Sequence, residues 1–293
     1  MDSREGHEVL VALLRACAGR HAEVHALVHA ALGRQRHALL RLTNHGYWET
    51  CLKELMTAAA PYHNLCAALV HRFLSEGVME HANGDQLLRH CFATMPYQHT
   101  MVLVEHALIN MGDMLESVSG SKCLVECYAA ARGEQLRAFQ ETLLTHAHII
   151  AMGEHSNYFM QHALEHGDVE TRRRLLDRLL GDGGGLVELA LDCYGSYVAE
   201  ACFQRTGMPC RVLAALLRLH DTQLAWLVRG KYSNYVVHKL LDFCKHTFPV
   251  ETMNLAWRIE ALPRHVTDDM YARKVMRVIK NLFPPRYNRM YHA

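Results

Sequence analysis

At 293 residues, 50% of them apolar, the chain has ample material for a buried interior but is long for one globular core, which favours several stacked units. Lys and Arg number 31 against 30 Asp and Glu, a formal net charge of +1. That excludes a binder resting on bulk phosphate attraction, so any nucleic acid must be held by base edges and stacking, with the 22 histidines adding charge only near their ordinary pKa of about 6.5.

Helical periodicity, in patterns of roughly ten to fifteen residues broken by Gly, Asn, Asp or Ser, runs along the sequence without a β-rich run, and the expected class is all-α. The first patterns are Val9 to Leu14 and Val24 to Leu32. His21, His25 and His29 recur at i, i+4 and i+8, a spacing that suits a metal or a packed helix face; with no ligand on a second helix and no Cys motif, no metal is expected. Apolar-edged segments follow at Ala67 to His71 and Met101 to Glu105. Next comes Gly120-Ser121-Lys122-Cys123-Leu124-Val125-Glu126, with Cys123 and Cys127 one turn apart as packing residues. Ten cysteines without a CxxC pair or a secretory leader point to reduced thiols, and no run reaches the roughly 18 apolar residues of a membrane span.

The second half holds the most informative feature. Three words, Asn157-Tyr158-Phe159-Met160-Gln161, Ser196-Tyr197-Val198-Ala199-Glu200 and Asn234-Tyr235-Val236-Val237-His238, share the order polar, aromatic, apolar, apolar, polar. Their starts lie 196 − 157 = 39 and 234 − 196 = 38 residues apart, which marks a repeat. On a helix, positions i and i+4 differ by roughly 40° of rotation, with i+1 on the adjoining shoulder. Each word therefore shows a pair of hydrogen-bonding groups beside a phenol ring, while Ala163-Leu164, Cys202-Phe203 and Leu240-Leu241 continue an apolar stripe behind it. An Asn and a Gln one turn apart suit the Watson–Crick edge of a base, a carboxylate accepts from the N1–H and N2–H₂ of guanine, and a Tyr offers a stacking surface.

Apolar helical segments precede the words (Ile149-Ile150-x-Met152, Leu186-Val187-x-Leu189, Leu224-x-Trp226-Leu227-Val228). Amphipathic ones follow, as in Val169 to Leu180, Arg211 to Leu219 and Thr252 to Leu262, so each unit is three helices. Breaks stand at Gly181-Asp182-Gly183-Gly184-Gly185 and Arg205-Thr206-Gly207-Met208-Pro209. Arg172-Arg173-Arg174 reads as a solvated charged face. The glycine run lacks the Lys and strand of a phosphate loop, and no nucleophile elbow, HExxH or paired carboxylates stand out, so neither catalysis nor a cofactor is expected.

The stretches His155-Ser156-Asn157-Tyr158, Tyr194-Gly195-Ser196-Tyr197 and Tyr232-Ser233-Asn234-Tyr235 resemble the second helix of Pumilio (PUF) repeats. That resemblance is specific over residues 148–283 and weaker over 114–147. It implies a crescent-shaped α-α superhelix of three-helix repeats whose concave face binds single-stranded RNA at one base per repeat. Carried over residue by residue, Asn157 with Gln161 matches the uracil pair, Ser196 with Glu200 the guanine pair, and Asn234 with His238 the uracil pair at its first member only. Because the family binds RNA antiparallel, the resemblance implies a 5′-UGU-3′ core with Tyr158, Tyr197 and Tyr235 stacking. His238 in place of Gln and Tyr197 in place of the usual Asn are departures. Lys122, Cys123 and Glu126 form a degenerate copy that contacts phosphate or nothing.

The expected organisation is one continuous superhelix: degenerate repeats and a cap over 1–113, better-preserved repeats with C-terminal capping helices over 114–283, and a tail at 284–293. The segments at Ala67 to His71 and Met101 to Glu105 are taken as eroded reading helices. The resemblance further implies a monomeric regulator of messenger RNA stability or translation, cytoplasmic with nuclear or nucleolar residence left open, acting on 3′-untranslated regions with protein effectors and no membrane. The alternative is a repeat scaffold for protein or for structured RNA in ribosome assembly, with sequence reading lost.

Overall fold

The computed structural model describes residues 4–33, 46–181 and 184–283; the tail at 284–293 and Asp182-Gly183 of the glycine break lie outside the described residues. Every regular element among the described residues is a helix, and none is long and apolar enough to cross a membrane. The chain divides into two compact units, Met1–Phe139 and Gln140–Ala293, and the boundary expected at 113/114 falls within the first.

The second unit repeats a three-helix order. Ala147–Met152, Asn157–His166 and Val169–Leu180 make the first repeat, and Gly184–Leu191, Gly195–Gln204 and Pro209–Arg218 the next. Asp221–Arg229, Ser233–Cys244 and Pro249–Glu260 make the third, and Arg264–Thr267 with Ala272–Leu282 close the unit. The second helices pack each on the next, from Asn157–His166 through Gly195–Gln204 and Ser233–Cys244 to Ala272–Leu282. The apolar pair inside each word is what they bury: Phe159, Met160, Val198, Ala199, Val236 and Val237 are all in the core, as are Leu164, Phe203 and Leu241 behind them. Each large side chain removed from water contributes about 1.5–3 kcal/mol before ordering costs are charged.

A back layer of third helices is stitched by arginines. Arg172 donates to the Thr206 carbonyl at 3.0 Å, Arg174 pairs with Glu141 at 3.1 Å, and Arg211 pairs with Asp177. Arg258 donates to the carbonyls of Leu217 (2.7 Å) and Leu219 (2.8 Å) and to Asp221. The Arg172-Arg173-Arg174 run is thus a set of links between and along third helices, with Arg173 bridging Glu170 and Asp177 on its own helix. Val169–Leu180 begins at Asp168, whose carboxylate accepts from the Thr171 N–H at 2.8 Å and is held below its usual range by that bond. It ends at Gly181, where φ is +51°, a conformation that favours glycine.

In the first unit, Arg4–Ala16, Gly46–Ala59, Gly84–Thr94 and Val118–Ala130 pack consecutively in the same manner. His63–Ser75 and Tyr97–Ile109 follow Gly46–Ala59 and Gly84–Thr94 in the third-helix place. Ala67 to His71 and Met101 to Glu105 lie on these two helices, which corrects their reading as eroded second helices; Met101 and Val102 are exposed.

Eight of the ten cysteines are buried, Cys193 is half-buried and Cys210 exposed, and all are free thiols. Burial pushes the Cys91, Cys123 and Cys202 thiols up to about 12, so they fill space as protonated side chains.

Candidate nucleic-acid interface

One small residue sets the register of the second helices from Gly84–Thr94 to Ser233–Cys244. At Gly195 an added Cβ would stand 2.7 Å from the Leu189 carbonyl oxygen, six residues back. Gly84 and Gly120 are crowded in the same way by the carbonyls of Val78 and Met114. Where Ser replaces Gly, its hydroxyl donates to that carbonyl: Ser156 Oγ to Ile150 O and Ser233 Oγ to Leu227 O, each at 2.7 Å. The residue after this anchor is the first edge position, the next is the platform, and the second edge position lies one turn further on.

All three platforms face solvent: Tyr158 is 67% exposed, Tyr197 56% and Tyr235 44%. For phenol rings set between a buried polar residue and a buried apolar one, such exposure is a large uncompensated apolar area, repeated at one register on three packed helices. Neighbouring second helices are tied beside the rings by Glu165–Arg205 at 2.9 Å, Glu200–Lys239 at 2.6 Å, and the Lys274 ammonium donating to the Tyr235 hydroxyl at 3.3 Å.

The edge residues are more committed than their words suggest. Asn157 is 2% exposed; its Nδ2 donates to the carbonyls of Gly153 (2.9 Å) and Glu154 (2.8 Å), closing the turn that enters the helix. Its Oδ1 accepts from Gln161 Nε2 at 3.0 Å, so Gln161, half-buried, is the member of the pair nearer solvent. Asn234 is fully buried and repeats the same two bonds, to Gly230 and Lys231, each at 2.8 Å. Its Oδ1 has no partner among the described residues, because His238 stands where Gln161 would donate. The His238 ring lies 5.4 Å from the Tyr235 ring, and burial pushes its pKa below the ordinary value, with the Lys239 charge adding to the effect. Ser196 Oγ donates to Cys193 O at 3.0 Å, leaving Glu200 as the acceptor at that station, with its Oε2 on Lys239.

The anchor shifts the upstream copy by one residue. With Gly120 as anchor, Ser121 takes the first edge, exposed Lys122 the platform and Val125 the second edge. Cys123 is fully buried, and Glu126 accepts from Arg89 Nε of the neighbouring helix at 3.1 Å. Neither is available as a stacker or a base-edge reader. His21, His25 and His29 pack as tilted rings along one helix face, His25 and His29 4.2 Å apart and His21 edge-on to Tyr62 at 4.7 Å, and no group of metal-capable side chains occurs among the described residues.

Two features carried no signal in the words. Tyr194, Tyr232 and Tyr271 form a second aromatic row, each just before its helix, with Lys231 5.0 Å from the Tyr232 ring and Lys274 5.4 Å from the Tyr271 ring. The closing helix also keeps the register, with Ala272 at the anchor and Arg273, Lys274 and Arg277 at the edge, platform and second-edge positions. No tyrosine stands at its platform position and no amide at its edge positions, so only packing exposes its register.

Against known proteins, a family model described as the Pumilio-family RNA binding repeat matches residues 146–180, 186–212 and 227–247, one segment for each tyrosine station. No curated protein sequence matches the chain significantly. Among solved structures it is similar to a Puf4 double mutant bound to a Cox17 RNA 3′ UTR recognition sequence, with a TM-score of 0.80, 14% identity, and 95% of this chain and 92% of that one covered. PUF-8 in complex with PBE-RNA gives 0.76 and 17% over 96% and 81% of the two chains. The RNA-binding domain of yeast Puf5p bound to MFA2 RNA gives 0.69 and 15% over 96% and 84%. The chain thus carries segments that match the Pumilio-family RNA binding repeat around its three stations, and it has the fold of the solved Puf domains.

Proposed function

We propose that this protein binds single-stranded RNA, one base at each tyrosine station, with a 5′-UGU-type core. The observation that carries the reading is the recurrence of an exposed phenol beside hydrogen-bonding groups at one register on three packed helices. Stacking on such platforms is worth about 1–3 kcal/mol per base and is indifferent to sequence, so selectivity falls to Gln161, Glu200 and His238. With the RNA antiparallel to the chain, His238 meets the first base, Glu200 the second and Gln161 the third. Asn157 and Asn234 act mainly by fixing the turn and by offering Oδ1 to the residue one turn on. A net charge of +1 is consistent with recognition by edges and stacking rather than by phosphate attraction.

The solved Puf structures in complex with 3′-UTR sequences support messenger RNA as the ligand class. The biological role that follows is cytoplasmic control of messenger RNA stability or translation by a monomer that engages protein effectors. Glu200→Gln tests the middle station: a carboxylate accepts both guanine protons, whereas a Gln amide accepts only one and opposes the other. Fluorescence anisotropy at fixed salt should show the wild type preferring UGU over UAU by about tenfold, the worth of one bidentate contact, and the variant losing that preference. An unchanged preference for G removes Glu200 from the reader.

A further inference from the structure

The helix Ala272–Leu282 stands next in line after Ser233–Cys244 and keeps the register of the tyrosine stations, yet its outward residues are Arg273, Lys274, Arg277 and Lys280, with no acidic residue in the helix. Ala272, Val275 and Ile279 are buried, which turns the cations outward. None of the four makes an ion pair among the described residues. Elsewhere in the unit Arg173, Arg174, Arg205, Arg211, Lys239 and Arg258 answer a carboxylate, and Arg172, Arg178 and Arg218 answer backbone carbonyls; no other described helix of the unit carries four cations without an ion pair. Arg273 instead donates to the Asp268 carbonyl at 2.7 Å. Lys274 is drawn back to the last platform, 3.3 Å from the Tyr235 hydroxyl and 5.1 Å from its ring centre. In a chain of net charge +1, unanswered cations continuing the line of base platforms form an electrostatic feature with a direction.

We infer that Ala272–Leu282 is a fourth RNA station which holds the phosphodiester backbone 5′ of the UGU core through Lys274 and Arg277, without reading a base. This rests on the RNA reading proposed above, in which the 5′ end of the core lies at Tyr235. Lys274 sits at the platform position and has three donors; Arg277 sits where Gln161 and Glu200 stand in their helices and presents a planar fork suited to phosphate. Both side chains only donate, so the station favours negative charge, and contacts made to phosphate carry no sequence information.

The test uses the full chain and labelled RNAs that share one UGU core: the core alone, the core with three extra nucleotides at its 5′ end (uridines or adenosines), and the core with three at its 3′ end. The 5′ extension should tighten binding by about tenfold whichever base it carries, and the salt slope should steepen by roughly 0.7 for each phosphate held. Arg277→Gln, which leaves the Lys274 contact with Tyr235 in place, should remove most of that gain while leaving affinity for the bare core, its UGU preference and the melting temperature within error. A core that binds with no gain from the 5′ extension, a gain that depends on the extra base, or a variant that weakens both extensions equally overturns the fourth station and leaves the three-station reading intact. A chain that binds none of the RNAs overturns both.

Discussion

Asn157 and Asn234 do the same work in the fold and differ in what meets them one turn on. Each closes its turn with two Nδ2 bonds of 2.8–2.9 Å. Asn157 Oδ1 is then satisfied by Gln161, whereas Asn234 Oδ1 is buried without a partner among the described residues. An orphaned buried carbonyl costs about 1–3 kcal/mol, part of which a donor at 238 should recover. His238→Gln is therefore expected to stabilise the protein by about 1 kcal/mol, raising the melting temperature by about 2–4 °C for a unit of this size. Thermal unfolding by circular dichroism measures it; an unchanged or lower transition would show that His238 already serves Asn234. The chemistry of the three words was legible in the sequence because residue type alone fixes donors, acceptors and rings. The division of labour within each word was not, since it depends on carbonyls of the preceding turn that only the folded backbone brings within reach.

At the scale of the element, second helices are entered by two kinds of turn. In Gly153-x-x-Ser156 and Gly230-x-x-Ser233 the Ser hydroxyl bonds the carbonyl six residues back, and the glycine three positions earlier leaves room for that hydroxyl. In Asp192-x-x-Gly195 the carboxylate accepts from the N–H groups of Tyr194 (2.9 Å) and Gly195 (2.7 Å), and the anchor carries no side chain. A Cβ at residue 153 would run into Ser156 Oγ. Gly153→Ala should accordingly cost about 1–3 kcal/mol, an overpacking penalty, and adding Ser156→Gly should return part of it. Urea unfolding of the two variants decides the matter: a single variant as stable as wild type, or a double variant less stable than the single, would contradict this reading of the turn. The same anchor explains why the upstream copy was framed one residue late. Without a tyrosine, Gly120-Ser121-Lys122-Cys123 offers several registers, and the crowding of Gly120 against the Met114 carbonyl selects one. Ala67 to His71 and Met101 to Glu105 were misplaced for a related reason, since amphipathic periodicity is common to second and third helices and does not say which is which.

For the molecule as a whole, stability in a stacked array comes from contacts between successive repeats, so the links of the back layer matter as much as the core. Arg258 bonds the carbonyls of Leu217 and Leu219, at the end of the preceding repeat, and the carboxylate of Asp221, which opens its own, and it lies far in register from the tyrosines. Arg258→Ala should lower stability by about 1.5–3 kcal/mol, the range for hydrogen bonds to a charged group, and leave RNA preference untouched; a stable variant, or one with altered base preference, would contradict that separation of layers. The all-helical class was legible because the period of the apolar residues is fixed by helix geometry, and it survives at 14% identity to a structure matched at a TM-score of 0.80. The closing basic helix was illegible because its register is written in packing and its residues in another chemistry.

The exposed line of tyrosines is tested most directly by fluorescence anisotropy of a labelled ten-nucleotide RNA carrying UGU against one carrying ACA, at one defined salt concentration. Saturable binding of the UGU strand, with the ACA strand weaker by at least about tenfold, is the expected result, since a single good edge contact discriminates by about that much. Equal affinity for the two strands, or no binding of either, would contradict it and leave the rings as the surface of a scaffold that reads no RNA.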